Sequence, residues 1–180
     1  MEFLATRIKG AVHILPAVHA DSRGFFLESY TLRDFEKAGI PAHFIQDNHS
    51  MSVETGVLRG LHLQHPPFAQ SKLVRVIRGS IDDVIVDVRK GSPTYGQSES
   101  FELTERNFSM LFVPPGCAHG FCTVLPKTEV LYKVDNYYSP QHEAGIIWND
   151  PELSIRWPTD NPVLSDRDKK WPLFKDFVSP

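Results

Sequence analysis

Short apolar runs, each a few residues long and set apart by turn residues, recur along the whole chain. Residues 11–18 read as a first strand. Asp21-Ser22-Arg23-Gly24 is a turn, and Phe25 to Tyr30 is a second strand. Thr31-Leu32-Arg33-Asp34 has the form of a capping box with an acid at N3, and Gly39 with Pro41 closes a short helix. Residues 44–53 and 57–64 follow as strands. Residues 72–77, the pair Gly79-Ser80 and residues 81–88 predict a hairpin. Within it VIVDV is apolar on both faces, as in a strand inside a sandwich or barrel. KGSPTYG (90–96) is turn chemistry. Residues 101–103, 110–113, 119–124 and 129–138 continue the strands. Ser165-Asp166-Arg167-Asp168 opens a helical turn ending near Trp171-Pro172. A strand about every eight to twelve residues favours a sandwich or barrel over an α/β fold. The expected class is therefore all-β, a jelly roll with short peripheral helices.

Composition narrows the picture. A chain of 180 residues predicts one domain, spanning 1–180, with a sizeable core. There is no repeat and no low-complexity linker. The net charge of −3 supplies no bulk basic field for nucleic acid, so an anionic ligand needs a local cluster of Arg and Lys. No run of eighteen apolar residues reads as a membrane span, and the first twenty residues lack a continuous apolar signal core. A cytoplasmic protein with no membrane partner is the expectation. Cys117 and Cys122 are too few and too poorly spaced for zinc and read as reduced core residues.

The candidate chemistry gathers in GVLRGLHLQHPPFAQSKLVRVIRG (56–79). Its spacing nearly fits the first metal motif of cupin barrels, G-x5-H-x-H-x3,4-E-x6-G. Gly56, His62 and Gly79 stand in place. Gln64 replaces the second His, and Lys72 occupies the Glu slot. Pro114-Pro115-Gly116-Cys117-Ala118-His119 matches the other cupin motif, P-x-G-x-x-H. A divalent metal takes neutral His, thiolate or carboxylate, and Lys72 would repel it. The cupin-like site is read as rebuilt for an anion, with no metal.

Further fragments stand in a consistent order: RGFFLE (23–28), QDN (46–48), VLRGLHLQ (57–64), QSKLV (70–74), SPTYG (92–96), PPGCAHGF (114–121), YK (132–133), WNDP (148–151) and LSDRD (164–168). Together the set closely resembles the dTDP-4-dehydrorhamnose 3,5-epimerase family of deoxysugar biosynthesis, over roughly residues 1–172. The resemblance implies a cofactor-free, cupin-type homodimer that inverts carbons beside the 4-keto group of a dTDP-linked 6-deoxyhexulose. By that resemblance His62 is the general base with Asp168 as its partner. Tyr132 is the proton donor on the opposite face, and Lys72 lies near the keto oxygen. Arg23, Glu28, Gln46, Asn48, Arg59, His119, Tyr138, Glu143 and Arg167 match substrate-binding positions. The N-terminal strands, about residues 1–55, are expected to be shared in the dimer, so that Arg23 and Glu28 complete the partner's site.

The chemistry asks for those residue types. A proton α to a ketone is acidic because its anion is an enolate. Inversion needs a base on one face, a cationic or donor group at the oxygen, and a second acid on the other face. Imidazole is an effective base near neutral pH. One detail resists a regular strand. Leu58, Gly60, His62 and Gln64 share one parity and Arg59 the other, so Arg59 reaches the same site only through a bulge, a strand end or another direction. Asp168 also stands at N3 of a Ser165 capping box, and the two roles exclude each other only if its carboxylate faces Ser165. Rival readings are a metal-dependent cupin, either a dioxygenase or a sugar-phosphate isomerase, and a non-catalytic nucleotide-sugar binder. His13, His19, His43, His49, His65 and His142 have no motif support and read as surface or structural.

Overall fold

The computed structural model describes residues 1–41 and 43–179. The chain runs through β1 (Glu2–Ala5), β2 (Val12–Leu15), β3 (Val18–Asp21), β4 (Gly24–Leu27), α1 (Leu32–Lys37), β5 (Gln46–Ser52), β6 (Leu58–Gln64) and β7 (Lys72–Arg78). It continues through β8 (Ser80–Asp87), β9 (Ser98–Thr104), β10 (Met110–Val113), β11 (Cys117–Thr123), β12 (Thr128–Val134) and β13 (Glu143–Gly145). A six-stranded sheet has the order β1-β2-β10-β7-β12-β5, and a five-stranded sheet has the order β13-β6-β11-β8-β9. All named strand pairs are antiparallel. This is the expected all-β, cupin-like jelly roll.

Three apolar layers follow from strand periodicity. Val74, Val76, Leu111 and Val130 of the larger sheet meet Ile81, Ile85, Leu103 and Phe121 of the smaller between the two. Val84 and Val86, on the other face of β8, and Val88 just beyond it pack against Leu153, Phe174 and Phe177 of the C-terminal segment. Both faces of VIVDV are thus covered, as its continuous apolarity required. On the outer face of the larger sheet, Ile14, Leu73, Met110 and Phe112 hold Phe35 of α1. Phe35 is fully buried, a contribution of about 1.5–3 kcal/mol. Thr31 caps α1 by accepting from the Asp34 N–H, and beyond Ala38 the Ile40 N–H returns to the Phe35 carbonyl at 2.9 Å.

Several sequence expectations need correction. Residues 72–88 are not a hairpin: β7 belongs to the larger sheet and β8 to the smaller. Gly79, with φ +84°, turns the chain from one sheet into the other. The same two residues that close a hairpin also make a corner, and local sequence does not distinguish them. Strand 11–18 is broken between β2 and β3, where Pro16 has no N–H to pair. The strand at 129–138 ends at Val134, after which Asp135 accepts from the Ser71 N–H at 2.6 Å. The 165–168 segment is a single turn, with the Lys169 N–H bonded to the Ser165 carbonyl. No helix among the described residues is long and apolar enough to cross a membrane.

Candidate functional site

Two contiguous clefts of about 210 and 220 Å³ open between the sheets and share His62, Lys72, Tyr132 and Arg167. The smaller sheet supplies Arg59 and His62 from β6, and His119 and Phe121 from β11. The larger sheet supplies Lys72 and Val74 from β7, Tyr132 from β12, and Gln46, Asn48 and Ser50 from β5. His62 and Tyr132 therefore stand on opposite walls.

A bulge in β6 resolves the parity of Arg59. His119 pairs with His62 and Phe121 with Arg59, so Gly60 and Leu61 together face the single residue Gly120. The extra residue inverts the alternation, and Arg59 and His62 both reach the cavity. Gly60 takes φ +144°, and a Cβ there would lie 2.5 Å from the Gly120 Cα. The bulge is closed to larger residues. Arg59 is steadied by Ser52 Oγ, which accepts from its Nε at 3.3 Å.

His62 Nε2 meets Asp168 Oδ1 at 2.5 Å. Asp168 is 3% exposed, and its N–H donates to Ser165 Oγ at 3.1 Å. The carboxylate faces His62 while the backbone completes the cap, so the two roles coexist. Burial alone would raise the Asp168 pKa. The hydrogen bond and charge of His62, with bonds to Ser165 and Trp171, outweigh burial and hold it below the ordinary value. Asp168 stays anionic near neutral pH, and among the described residues the side-chain hydrogen bond of His62 engages Nε2 and not Nδ1.

Lys72 lies among the strands with its residue half open to the cavity, and Nζ is 3.4 Å from the His62 carbonyl oxygen. Burial lowers its pKa to about 8 against opposing fields from Asp83 and Glu143. Tyr132 is shifted upward, first by burial and also by Glu143, with Arg59 acting the other way. Its phenol is protonated at neutral pH. His119 Nε2 contacts Asp83 Oδ1 at 2.8 Å, and Asp83 is fully buried. Glu143 Oε2 gathers the outer rim: it accepts from Arg167 at 2.6 Å and from the Tyr138 hydroxyl at 2.9 Å. Gln46 Nε2 donates to Asn48 Oδ1 at 2.8 Å on the facing strand.

Twelve residues named from sequence thus line or rim one cavity: His62, Tyr132, Asp168, Lys72, Gln46, Asn48, Arg59, His119, Tyr138, Glu143, Arg167 and the displaced ligand position Gln64. Gln64 has another task there. Its amide donates to the Phe68 and Tyr137 carbonyls and accepts from the Ser139 N–H, tying together the loops at the mouth. Arg23 and Glu28 are not brought to the cavity of their own chain. Both are exposed, and Arg23 pairs with Asp21 at 2.6 Å. Sequence reasoning missed Asp83, Ser50 and Trp171. Asp83 lies in an apolar strand whose pattern does name it: an acid facing a core needs a partner.

This architecture and this cavity, with a carboxylate-held imidazole facing a phenol, define an isomerase on a cupin-like jelly roll. The family model of dTDP-4-dehydrorhamnose 3,5-epimerase matches residues 5–176, and the chain belongs to that family. The dTDP-4-dehydrorhamnose 3,5-epimerase of Shigella flexneri is 46% identical over 177 residues, covering 98% of this chain and 97% of that protein. The crystal structure of the Bacillus anthracis epimerase with TDP and PPi bound is 49% identical at a TM-score of 0.94, covering 96% of this chain and 98% of that one. ChmJ, a 3′-monoepimerase from Streptomyces bikiniensis in complex with dTDP-quinovose, is 32% identical at a TM-score of 0.89, covering 94% and 86%.

Proposed function

We propose that this protein inverts the carbons flanking the 4-keto group of a dTDP-4-dehydro-6-deoxyhexose, through an enolate. The observation that carries the reading is the opposition of His62, held by Asp168 on one wall, to Tyr132 on the other, with Lys72 lining the same space. His62 Nδ1 takes the α proton. The C–H electron pair becomes the C=C bond of the enolate, and the carbonyl pair moves to oxygen. The Lys72 ammonium meets the charge that develops there. Tyr132 gives its proton to the carbon from the other face, and Arg59 favours the phenolate left behind. Asp168 fixes the His62 tautomer and favours the imidazolium that forms, so the charge never stands alone. Solvent exchange then resets both groups.

Arg59, Arg167 and His119 suit the diphosphate and the sugar hydroxyls. Gln46, Asn48, Glu143 and Tyr138 line the outer half, where a nucleoside fits. Identity to the 3,5-epimerases is 46% and 49%, against 32% to a 3′-monoepimerase, which favours inversion at both C3 and C5. The active form is a cytoplasmic homodimer of single-domain protomers. In it the β3–β4 hairpin carries Arg23 and Glu28 into the partner's cavity, without nucleic-acid or membrane partners. With Gln64 committed to backbone groups and Lys72 in a former ligand slot, the reaction runs without metal. NMR of dTDP-4-keto-6-deoxyglucose with the protein in deuterated water tests this reading. Deuterium should enter at both C3 and C5, unchanged by EDTA. Loss of exchange with EDTA, restored by one metal, would establish the metal-dependent alternative instead.

A further inference from the structure

The Asp168 oxygen that holds His62 has a second donor. Trp171 Nε1 lies 3.3 Å from Asp168 Oδ1, the atom that meets His62 Nε2. The indole ring is set edge-on to the imidazole, with centroids 6.0 Å apart and planes at 64°. Its place is fixed from three sides. The Ser165 turn precedes it, with the Lys170 N–H bonded to the Arg167 carbonyl. Pro172 follows it and accepts from the Ile147 N–H at 2.9 Å. Beneath it lies Gly145, which pairs with His62 across β13 and β6. A Cβ at 145 would come within 2.6 Å of the indole Cδ2 and Cε2, so the ring occupies the space that any side chain there would fill.

We propose that Trp171 is a positioning residue for the epimerisation, acting through Asp168 on the basicity of His62; the inference rests on the assignment of His62 as base. A donor on a carboxylate oxygen draws electron density from it and leaves it a weaker acceptor for a second donor. The Trp171 N–H thus limits how far Asp168 favours the imidazolium that forms when His62 takes a proton, in a cavity that Arg59, Lys72, His119, Tyr132, Glu143 and Arg167 also line. It also fixes the angle at which the carboxylate meets the ring.

The test is Trp171→Phe, which keeps an aromatic ring over Gly145 and removes the N–H. The acid limb of the kcat/KM profile should move to higher pH. The kcat at neutral pH should fall roughly fivefold, as for a modest charge-assisted hydrogen bond, while KM and affinity for dTDP stay unchanged. A profile that superimposes on wild type overturns the inference. So does a fall in kcat with no movement of the limb, which marks a packing role alone. If the variant does not fold, the indole N–H resonance of Trp171 in the intact protein replaces it. It should titrate with the His62 midpoint, and a resonance flat through that midpoint is the contrary result. Deuterium exchange by His62→Ala separates the two failures. Exchange that survives there removes the base assignment itself, whereas lost exchange beside an unmoved Trp171→Phe profile removes only the role of Trp171.

Discussion

At the scale of residues, the cavity concentrates positive charge in a chain whose net charge is −3. Arg59, Lys72, Arg167 and two histidines line it, and the proposed reaction gives Lys72 and Arg59 different work. In that reaction Lys72 meets charge that exists only as the enolate forms, and on that reading Lys72→Ala should lower kcat by roughly a hundredfold or more with little change in KM. Arg59 is proposed to hold charge that the substrate already carries, and on that reading Arg59→Ala should chiefly raise KM, by roughly ten- to hundredfold. Steady-state kinetics of the two variants checks this, and the opposite split means that their roles are exchanged. The Lys72 pKa of about 8 adds a pH signature. In the free enzyme the ammonium is lost as pH rises through about 8, so kcat/KM should fall on the alkaline side there. Stability runs the other way. Between about 8 and the ordinary value of 10.5 the unfolded chain keeps a proton that the folded chain has released, so stability rises with pH across that window. These residues were legible because motif slots name them. Trp171 was not, because its contact with Asp168 depends on where a turn sets an indole ring.

At the scale of elements, the site depends on one irregularity. Strand periodicity in 58–64 separates Arg59 from His62, and the bulge at Gly60 and Leu61 reunites them. The conflict was visible in the sequence as a failure of parity. A bulge was one of three resolutions the sequence left open, and the choice among them is fixed by the partner strand, here by Gly120 against Gly60. Gly60→Ala would add a Cβ against the Gly120 backbone at a positive φ. It should cost roughly 2–4 kcal/mol and remove most activity. Thermal unfolding together with kcat/KM measures both, and a variant with wild-type stability and rate removes the bulge from the account. The misread hairpin at Gly79 has a similar cause. Turn chemistry states that the chain reverses, while only the packing of β7 and β8 decides which sheet receives it.

At the scale of the whole molecule, twelve named residues meet in one cavity, and Arg23 and Glu28 do not join them. They sit on an exposed hairpin with Phe25 and Phe26, which are 56% and 65% exposed. A second copy that receives this hairpin would cover the rings and complete the cavity. Light scattering should give about twice the 20.4 kDa chain mass. Arg23→Ala should raise KM without loss of folding. A fully active monomer contradicts this part of the account. Sequence could order these fragments along the chain, but whether a second copy receives the hairpin depends on contacts between copies.

The central claim is a division of labour across the sugar, with His62 removing the proton on one face and Tyr132 returning one on the other. The most direct measurement is a time course of deuterium at C3 and C5 beside product stereochemistry, for wild type, His62→Ala and Tyr132→Phe. His62→Ala should lose both exchange and inversion. Tyr132→Phe should still take up deuterium at the attacked carbon while inversion slows, because its enolate is protonated again on the original face. Exchange at the wild-type rate in His62→Ala, or inversion at the wild-type rate in Tyr132→Phe, would contradict the account.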